Sequence, residues 1–294
     1  EVKTSERHLF VLKFKDKYTV REMCRFLKIS ESGYYRWLSN QSKKTARELL
    51  LVKIKEIIAE HPDNINYGIN RMQTALQQRG INVSIRTVYR AMKDGNLLHL
   101  RRTPRGITKA TTEIEEKENL IKRDFKSDKT LTKLLTDITQ IQCLDGKLYI
   151  SAILDCYNGE IVALEMRNNM KKELCIDTIK QLSNVRNAVL HSDRGSQYTS
   201  FEFKEALRKR GIAQSLSGAG HCFDNARMES FFATLKKEKL YQIPTYRMAR
   251  KAVKSIIFRY IYGYYNTIRI NSFNRQGLPP VAYRQLAENK DLSA

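Results

Sequence analysis

The hydrophobic pattern changes near residue 127, which divides the chain into a helical first part and a mixed second part. In residues 45–60 apolar side chains recur at a spacing close to 3.6, which predicts an amphipathic helix. Beyond residue 127, apolar runs of strand length are separated by turn residues such as Asp145-Gly146. Three successive strands are predicted there, at Leu134–Cys143, Lys147–Asp155 and Gly159–Arg167.

The rest of the second part alternates between helical and strand patterns. The predicted elements are a helix at Lys172–Ser183, a strand at Asn187–His191, a helix at Phe201–Arg210, a strand at Ile212–Leu216 and a helix at Asp224–Leu240. One further long helix is predicted at Tyr246–Asn266. Three antiparallel strands followed by this alternation predict an α/β fold, in which helices pack on a five-stranded mixed sheet.

Residues 18–38 have the pattern of a first helix-turn-helix. Thr19 followed by Glu22 forms a capping box for a short helix, and Lys28 lies in a tight turn. Ser30 can cap a second helix that carries Arg36 as a candidate DNA contact. The same pattern also fits a generic helical hairpin.

Residues 67–98 have the pattern of a second and more complete helix-turn-helix. Gly80 is expected to end its first helix in the left-handed conformation, and Ser84 is expected to cap the next helix. In that helix Val88 and Met92 are expected to face inward. The outward side is then a polar and basic face suited to a DNA major groove, formed by Arg86, Thr87, Arg90 and Lys93.

These patterns predict five segments. They are a helix-turn-helix at 1–43, a second helix-turn-helix DNA-binding domain at 44–105, a linker at 106–126, an α/β core at 127–245, and a C-terminal helix and tail at 246–294. The basic stretch before the linker adds three candidate DNA contacts, Arg101, Arg102 and Arg105.

Basic residues outnumber acidic residues along the whole chain, by 53 to 31, which gives a formal net charge of +22. Residues 1–126 hold 27 basic and 15 acidic side chains, so the excess is not confined to one tail. Such a distribution attracts polyanions and favours duplex DNA that contacts several segments. A merely basic protein without a nucleic-acid partner would have the same composition.

The cysteines and the apolar runs exclude several other classes of protein. Five cysteines occur without a CxxC pair, which argues against a disulfide framework and against a zinc finger. No apolar run approaches the roughly 20 residues that span a bilayer, so no membrane partner is expected. We therefore expect a cytoplasmic protein associated with the bacterial nucleoid.

Three carboxylates occupy positions where charged side chains are unusual. Asp137 lies inside the first predicted strand, and Asp193 follows the fourth strand directly. Glu229 shares a helical stripe with Phe232 and Lys236, beside the apolar side of its helix. Taken singly, each also fits an ordinary edge, turn or surface residue.

Together, these carboxylates suit a site for divalent metal ions. Three hard oxygen ligands from two strands and a helix fit Mg²⁺ or Mn²⁺ better than zinc. Two such ions, about 4 Å apart, can activate an attacking oxygen and stabilise a leaving oxygen in phosphoryl transfer. We therefore expect Asp137, Asp193 and Glu229 to be the catalytic and metal-binding residues, with two ions in the site.

The three segments around these carboxylates resemble the three boxes of the DDE transposases related to retroviral integrases. The segments read TDIT, HSDRGSQY and CFDNARMESFFATLK, and 35 residues separate Asp193 from Glu229. Within that group the chain resembles the IS-three family of bacterial insertion sequences, from about residue 18 to about residue 285. The C-terminal segment YIYGYYNTIRINSFNRQGLPPVAY carries part of the same resemblance.

The resemblance implies an RNase H-like catalytic core and a role for Asp137, Asp193 and Glu229 as metal ligands. It implies that Lys236 binds the end of the element and that Asn225 belongs to the DNA contacts. Because the chain does not begin with Met, it also resembles the product of the downstream of two frames joined by ribosomal frameshifting. Departures from the family pattern are Arg227 in place of a common Pro and Ile270-Asn271 in place of a common His.

The hypothesis that follows is a DNA transposase that cleaves element ends and transfers the strands to target DNA. A dimer or larger homo-oligomer on DNA is expected, because two ends must be paired. Two alternatives remain open from the residues. One is a DNA-binding regulator with an inactive core, and the other is a nuclease acting on RNA–DNA hybrids, which the helix-turn-helix units disfavour.

Overall fold

The computed structural model describes most of the chain. The described residues are 3–41, 45–99, 119–122, 124–183, 185, 187–217 and 225–291. Arg101, Arg102 and Arg105, together with most of the predicted linker, lie outside the described residues. Within those ranges, no helix is long and apolar enough to cross a membrane.

The N-terminal segment forms three helices around a small core of its own. They are α1 at Thr4–Phe14, α2 at Val20–Phe26 and α3 at Glu31–Gln41. The predicted caps are confirmed, because Thr19 accepts a hydrogen bond from the Glu22 amide at 3.3 Å and Ser30 accepts one from the Gly33 amide at 3.0 Å. The first helix was not predicted. The core holds four buried side chains, Val11, Met23, Cys24 and Tyr34.

The second helical unit consists of α4 at Ala46–Ala59, α5 at Ile69–Gln78 and α6 at Ile85–Asp94. Gly80 has φ +75°, a left-handed conformation that ends the turn after α5. Ser84 accepts a hydrogen bond from the Thr87 amide at 3.2 Å, so α6 begins where the capping residue predicted it. Val88 and Met92 are buried, as their spacing predicted.

A five-stranded mixed sheet forms the centre of the second part, as predicted. Its strands are β1 at Lys133–Cys143, β2 at Gly146–Asp155, β3 at Ile161–Arg167, β4 at Ala188–Ser192 and β5 at Ile212–Leu216. The order across the sheet is β3-β2-β1-β4-β5. Strand β2 is antiparallel to both of its neighbours, β1 and β3, whereas β4 and β5 run parallel to β1.

Helices cover both faces of the sheet, because alternate residues of the strands are apolar on both sides. The helices of this part of the chain are α7 at Lys172–Lys180, α8 at Ser196–Thr199, α9 at Phe201–Arg208, α10 at Ala226–Glu238, α11 at Arg250–Phe258 and α12 at Pro280–Asp291. Leu134 and Ile153 pack with the side chains of α7 and α9 on one face. Leu135 and Ile150 pack with α10 and α11 on the other face.

The prediction of one continuous helix at Tyr246–Asn266 is wrong at both ends. A short 3₁₀ turn occupies Thr245–Arg247, and α11 begins only at Arg250. Asp145, from the β1–β2 turn, accepts the Arg250 amide at 2.8 Å and therefore caps the helix from a distant part of the chain. After α11 the chain widens into a π-helix at Arg259–Tyr265.

The residue after this π-helix completes the edge of the sheet. The side-chain amide of Asn266 accepts a hydrogen bond from the Ile161 amide and donates one to the Ile161 carbonyl, both at 3.0 Å. Strand β3 is an edge strand, so these backbone groups have no neighbouring strand to pair with. The Asn266 side chain thus makes the two hydrogen bonds that a further strand would make with Ile161.

The second helical unit and the C-terminal helices share one hydrophobic core with the sheet. His61, after α4, stacks on Tyr264 of the π-helix with ring centroids 4.5 Å apart. The hydroxyl of Tyr67 accepts a hydrogen bond from the Ile270 amide at 3.2 Å. This helix-turn-helix is therefore packed onto the α/β core over an extended surface.

Glu238, the last residue of α10, is a buried carboxylate at the centre of that surface. Arg269 donates two hydrogen bonds to it at 2.8 Å, Arg71 of α5 donates one at 3.0 Å, and the Tyr260 hydroxyl donates one at 2.9 Å. Burial favours a raised pKa for Glu238, but the bonds and charges of Arg269 and Arg71 hold it below the usual value. The cluster therefore fixes a charged group where three parts of the chain meet.

We predict that Glu238→Gln lowers the free energy of unfolding by about 3–5 kcal/mol, since it leaves Arg269 buried without an opposite charge. The side chain of Arg269 is only 9 % exposed, so water cannot replace the lost partner. Urea denaturation would measure the change. Glu288→Gln is the control, because Glu288 pairs with Arg284 in an exposed i,i+4 bridge and its loss should cost about 0.5 kcal/mol or less. Equal effects of the two changes would contradict a stabilising role for the cluster.

Candidate active site

The parallel pairing of β1 and β4 places Asp137 and Asp193 at neighbouring positions of the sheet. In this pairing Leu135 of β1 lies opposite His191 of β4. Asp137 comes two residues after Leu135, and Asp193 comes two residues after His191. Asp193 comes directly after β4 and accepts a hydrogen bond from the Gly195 amide at 2.9 Å, in the turn that begins α8. Asp137 lies in the first strand and Asp193 follows the fourth, as predicted, and the structure shows that these two strands are adjacent.

Helix α10 brings Glu229 to the same region. The helix packs against β1, and Asn225 at its start donates a hydrogen bond from Nδ2 to the Thr136 carbonyl at 3.0 Å. An open cavity of about 350 Å³ lies between the two elements. It is lined by Asp137, Thr139, Glu229, Phe232, Ala233, Lys236, Lys237 and Tyr241.

The electrostatics of this cavity are those of clustered carboxylates whose charge is only partly compensated by a lysine. Burial raises the pKa of Asp137 to about 7, and the charges of Asp193 and Glu229 add to the increase against a hydrogen bond from the Ile138 amide. Burial also raises the pKa of Glu229. Lys236 opposes these charges only in part, and burial lowers its own pKa.

None of the three carboxylates forms an ion pair with a lysine or arginine in the described part of the chain. Within the same residues, no three Asp, Glu, His or Cys side chains are close enough together to hold a metal ion. Asp137 and Glu229 share the cavity, whereas Asp193 is not among its lining residues. The structure thus brings two of the carboxylates together and sets the third at the adjoining strand end.

The predicted DNA contacts fall into several groups. Arg36 on α3 is exposed, and so are the four predicted residues of α6, Arg86, Thr87, Arg90 and Lys93. Lys236 is half-buried and lines the cavity. Asn225 is buried, and its amide joins the start of α10 to β1. The buried position of Asn225 does not support a direct contact with DNA, which stays a prediction.

Two features near the site were not predicted. Tyr241 lies just beyond α10 in a 3₁₀ turn, where no periodic pattern marks it, although it lines the cavity. His191 is buried, and its two ring nitrogens hydrogen-bond to the hydroxyls of Ser215 at 2.8 Å and Ser217 at 3.1 Å. It therefore fixes β4 to β5 two residues before Asp193.

Comparison with known proteins agrees with this arrangement. Family models described as integrase core domains match residues 128–222 and 229–287, and one described as an HTH-like domain matches residues 45–105. The sheet order, the helices on both faces and these matches define an RNase H-like core of the integrase class, preceded by helix-turn-helix units.

Full-length relatives give the family. The chain is 31 % identical over 271 residues to InsK of the insertion sequence element IS150 from Escherichia coli, which covers 91 % of this chain and 94 % of InsK. It is 26 % identical over 294 residues to the transposase InsF for insertion sequence IS3A from Escherichia coli, covering 98 % and 100 %. The chain belongs to the family of insertion-sequence transposases that includes the IS3 and IS150 proteins.

Solved structures show a more distant similarity. The HTLV-2 integrase catalytic core domain in complex with magnesium is 15 % identical, with a TM-score of 0.40, over 52 % of this chain and 95 % of that domain. A chain of the simian T-cell lymphotropic virus intasome is also 15 % identical, with a TM-score of 0.43, over 68 % and 66 % of the two chains.

We predict that Asp137→Asn raises the melting temperature of the metal-free protein by an amount that grows from about pH 4 until the pH has passed 7. The pKa of Asp137 is about 7 in the folded chain and 3.8 in a model peptide, so the native state binds the additional proton. Its stabilising effect is complete below about pH 4 and is lost as the pH rises through 7, and the asparagine variant has no such loss.

Thermal melts in chelator at several pH values would test this expectation. Asp128→Asn is the matched control, because it makes the same change of side chain at an exposed position that does not line the cavity. Added Mn²⁺ should stabilise the wild type more than Asp137→Asn. A pH-independent difference for Asp137→Asn would contradict the assignment of a raised pKa to this carboxyl group.

Proposed function

We propose that this chain is a metal-dependent DNA transposase, which cleaves DNA at the ends of its insertion sequence and joins the ends to target DNA. The observation that carries the proposal is the cavity where Asp137 and Glu229 meet beside Lys236, with the pKa of Asp137 raised to about 7. Perturbed acids in an open cavity are typical of functional sites. Family membership favours strand transfer over other uses of such acids.

The metal ligands in this proposal are Asp137, Asp193 and Glu229, and the ions are two Mg²⁺ or Mn²⁺. These ions prefer carboxylate oxygens, and in the described part of the chain these three carboxylates form no ion pair that would compete for them. When bound, the ions would activate an attacking oxygen and stabilise a leaving oxygen. A nearby positive charge would also lower the raised pKa values of Asp137 and Glu229, so that both residues bind as carboxylates.

Lys236 is the residue that we assign to the phosphate backbone of the element end. It lies two turns after Glu229 on α10 and lines the same cavity. Burial lowers its pKa, while the charge of Asp137 acts in the opposite direction and favours the ammonium form. Asn225 would act indirectly, by holding the start of α10 against β1.

Duplex DNA is the partner that the helical units and the charge favour. In the proposal α6 enters the major groove, and Arg86, Thr87, Arg90 and Lys93 contact DNA from its exposed side. Arg36, Arg101, Arg102 and Arg105 are assigned to further backbone contacts. A homodimer or larger assembly would pair two element ends, on the nucleoid of a bacterial cytoplasm. The alternative of an inactive DNA-binding regulator gains no support from the relatives.

We predict that Glu229→Gln and Asp193→Asn each reduce Mg²⁺-dependent cleavage and strand transfer by at least about a hundredfold, because each removes a metal ligand. The substrate would be a labelled duplex carrying the end of the insertion sequence that encodes this chain. Binding of the duplex in chelator should stay within about twofold of wild type.

Glu202→Gln is the control for these two variants, because Glu202 is an exposed carboxylate on α9 that pairs with Lys172. Its cleavage rate should equal that of the wild type. Wild-type cleavage by Glu229→Gln, with the same dependence on Mg²⁺, would overturn the assignment of the active site.

We predict that Arg90→Ala weakens binding of end DNA and reduces the slope of log K against log salt by about 1, since one phosphate contact is lost. Arg90 is exposed and has no ion-pair partner among the described residues. Binding would be measured by fluorescence anisotropy at several salt concentrations. The control is Arg208→Ala on α9, where an exposed arginine pairs with Glu205. An unchanged slope for Arg90→Ala would remove α6 from the interface.

A further inference from the structure

Helix α6 exposes an apolar flank beside its basic side chains. Ile85 is 48 % exposed and Tyr89 is 41 % exposed, four residues apart and therefore on one side of the helix. Arg86 comes directly after Ile85, and Arg90 comes directly after Tyr89, which places the two guanidinium groups along the adjacent stripe of the helix. The exposed surface of α6 is thus basic along its centre and apolar along one edge.

The other side of α6 is fixed within the protein. Val88, Ala91 and Met92 are buried, with 1 % exposure or less, and so hold the helix against α4 and α5. The ends are held as well, by the Ser84 cap and by an ion pair between Arg47 and Asp94 at 3.0 Å. Ile85 and Tyr89 therefore keep their exposure in a rigid helix, and rotation of the helix cannot bury them.

An apolar edge along a basic stripe indicates a ligand that is anionic and also presents apolar groups. Arg86, Arg90 and Lys93 have no acidic partner in the described part of the chain, so their charge is available to the ligand. The DNA major groove meets both conditions, because phosphates line its walls and thymine methyl groups project into it. Side chains of the first turns of such a helix reach the base edges.

We propose that Ile85 and Tyr89 contact thymine methyl groups in the major groove and give this chain a preference for particular thymines in its element end. The inference rests on the proposed function, in which α6 enters DNA. The basic stripe supplies affinity that does not depend on sequence, and the apolar flank supplies discrimination between thymine and bases that lack the methyl group.

The test replaces single thymines in the bound part of the end duplex by deoxyuridine, which removes only the methyl group. For the full wild-type chain, one or two such replacements should weaken binding about fourfold each, the effect of one buried methyl group. For Ile85→Ala or Tyr89→Ala, the ratio of thymine to deoxyuridine affinity at one of these positions should fall to about one. The salt slope should remain that of the wild type.

Leu49→Ala is the matched control, because Leu49 is another exposed apolar residue of the same helical unit but lies on α4. It should keep the wild-type preference for thymine. If no deoxyuridine replacement affects the wild type, the inference is overturned, and so it is if the alanine variants keep the full preference. A change of oligomeric state in Tyr89→Ala with an unchanged preference would overturn it too, by making this flank a contact between copies.

These outcomes separate the inference from the proposed function. Cleavage of the thymine duplex with Mg²⁺ is measured in the same samples, and neither Ile85 nor Tyr89 lines the cavity of Asp137 and Glu229. If the wild type cleaves the duplex but shows no preference for thymine over deoxyuridine, that result would count against the apolar contacts alone. Absence of any metal-dependent cleavage by the wild type would count against the transposase activity itself.

Discussion

The ion pair between Glu238 and Arg269 is the interaction on which the arrangement of this molecule depends. Glu238 ends α10, about two and a half turns after Glu229, and so lies on the opposite side of that helix. The side facing β1 carries the candidate active-site groups, whereas the buried end binds Arg269 and Arg71. Helix α10 therefore connects the candidate active site to the DNA-binding unit. The connection is the buried carboxylate of Glu238, which is stable only while its arginine partners are present.

Glu238 and the half-buried Asp137 are two carboxylates of the same region whose pKa values respond to burial in opposite ways. The guanidinium groups of Arg269 and Arg71 outweigh the cost of burying Glu238, and its pKa is lowered. For Asp137, the Ile138 amide and Lys236 do not outweigh burial and two like charges, and its pKa is raised to about 7. Burying the Asp137 carboxylate with so little opposite charge has a free-energy cost, which a bound cation would remove. The position of Asp137 therefore indicates a functional role, whereas that of the fully paired Glu238 indicates a structural one.

The sequence predicted those features that depend on local patterns. The strands, the caps at Thr19 and Ser84, and the sheet positions of Asp137 and Asp193 follow from alternation and capping within a few residues. The start of α11 was missed because its cap, Asp145, lies 105 residues away. The role of Glu238 was missed for the same reason, since a charged residue at a helix end resembles a solvated one until Arg269 is placed beside it.

The shared core also constrains how the chain would act on DNA. Because α4, α5 and α6 pack with the sheet and the π-helix in one hydrophobic cluster, the position of α6 relative to the cavity is set by side-chain packing. The ring stacking of His61 on Tyr264 and the hydrogen bond from the Ile270 amide to the Tyr67 hydroxyl hold the same two parts together. A duplex bound by α6 and cut within the same chain would therefore be cleaved at a fixed distance from the bases that α6 contacts, whatever the length of the predicted linker at 106–126. A duplex cut by a partner subunit would have no such fixed distance, so the spacing between binding site and cut site distinguishes the two arrangements.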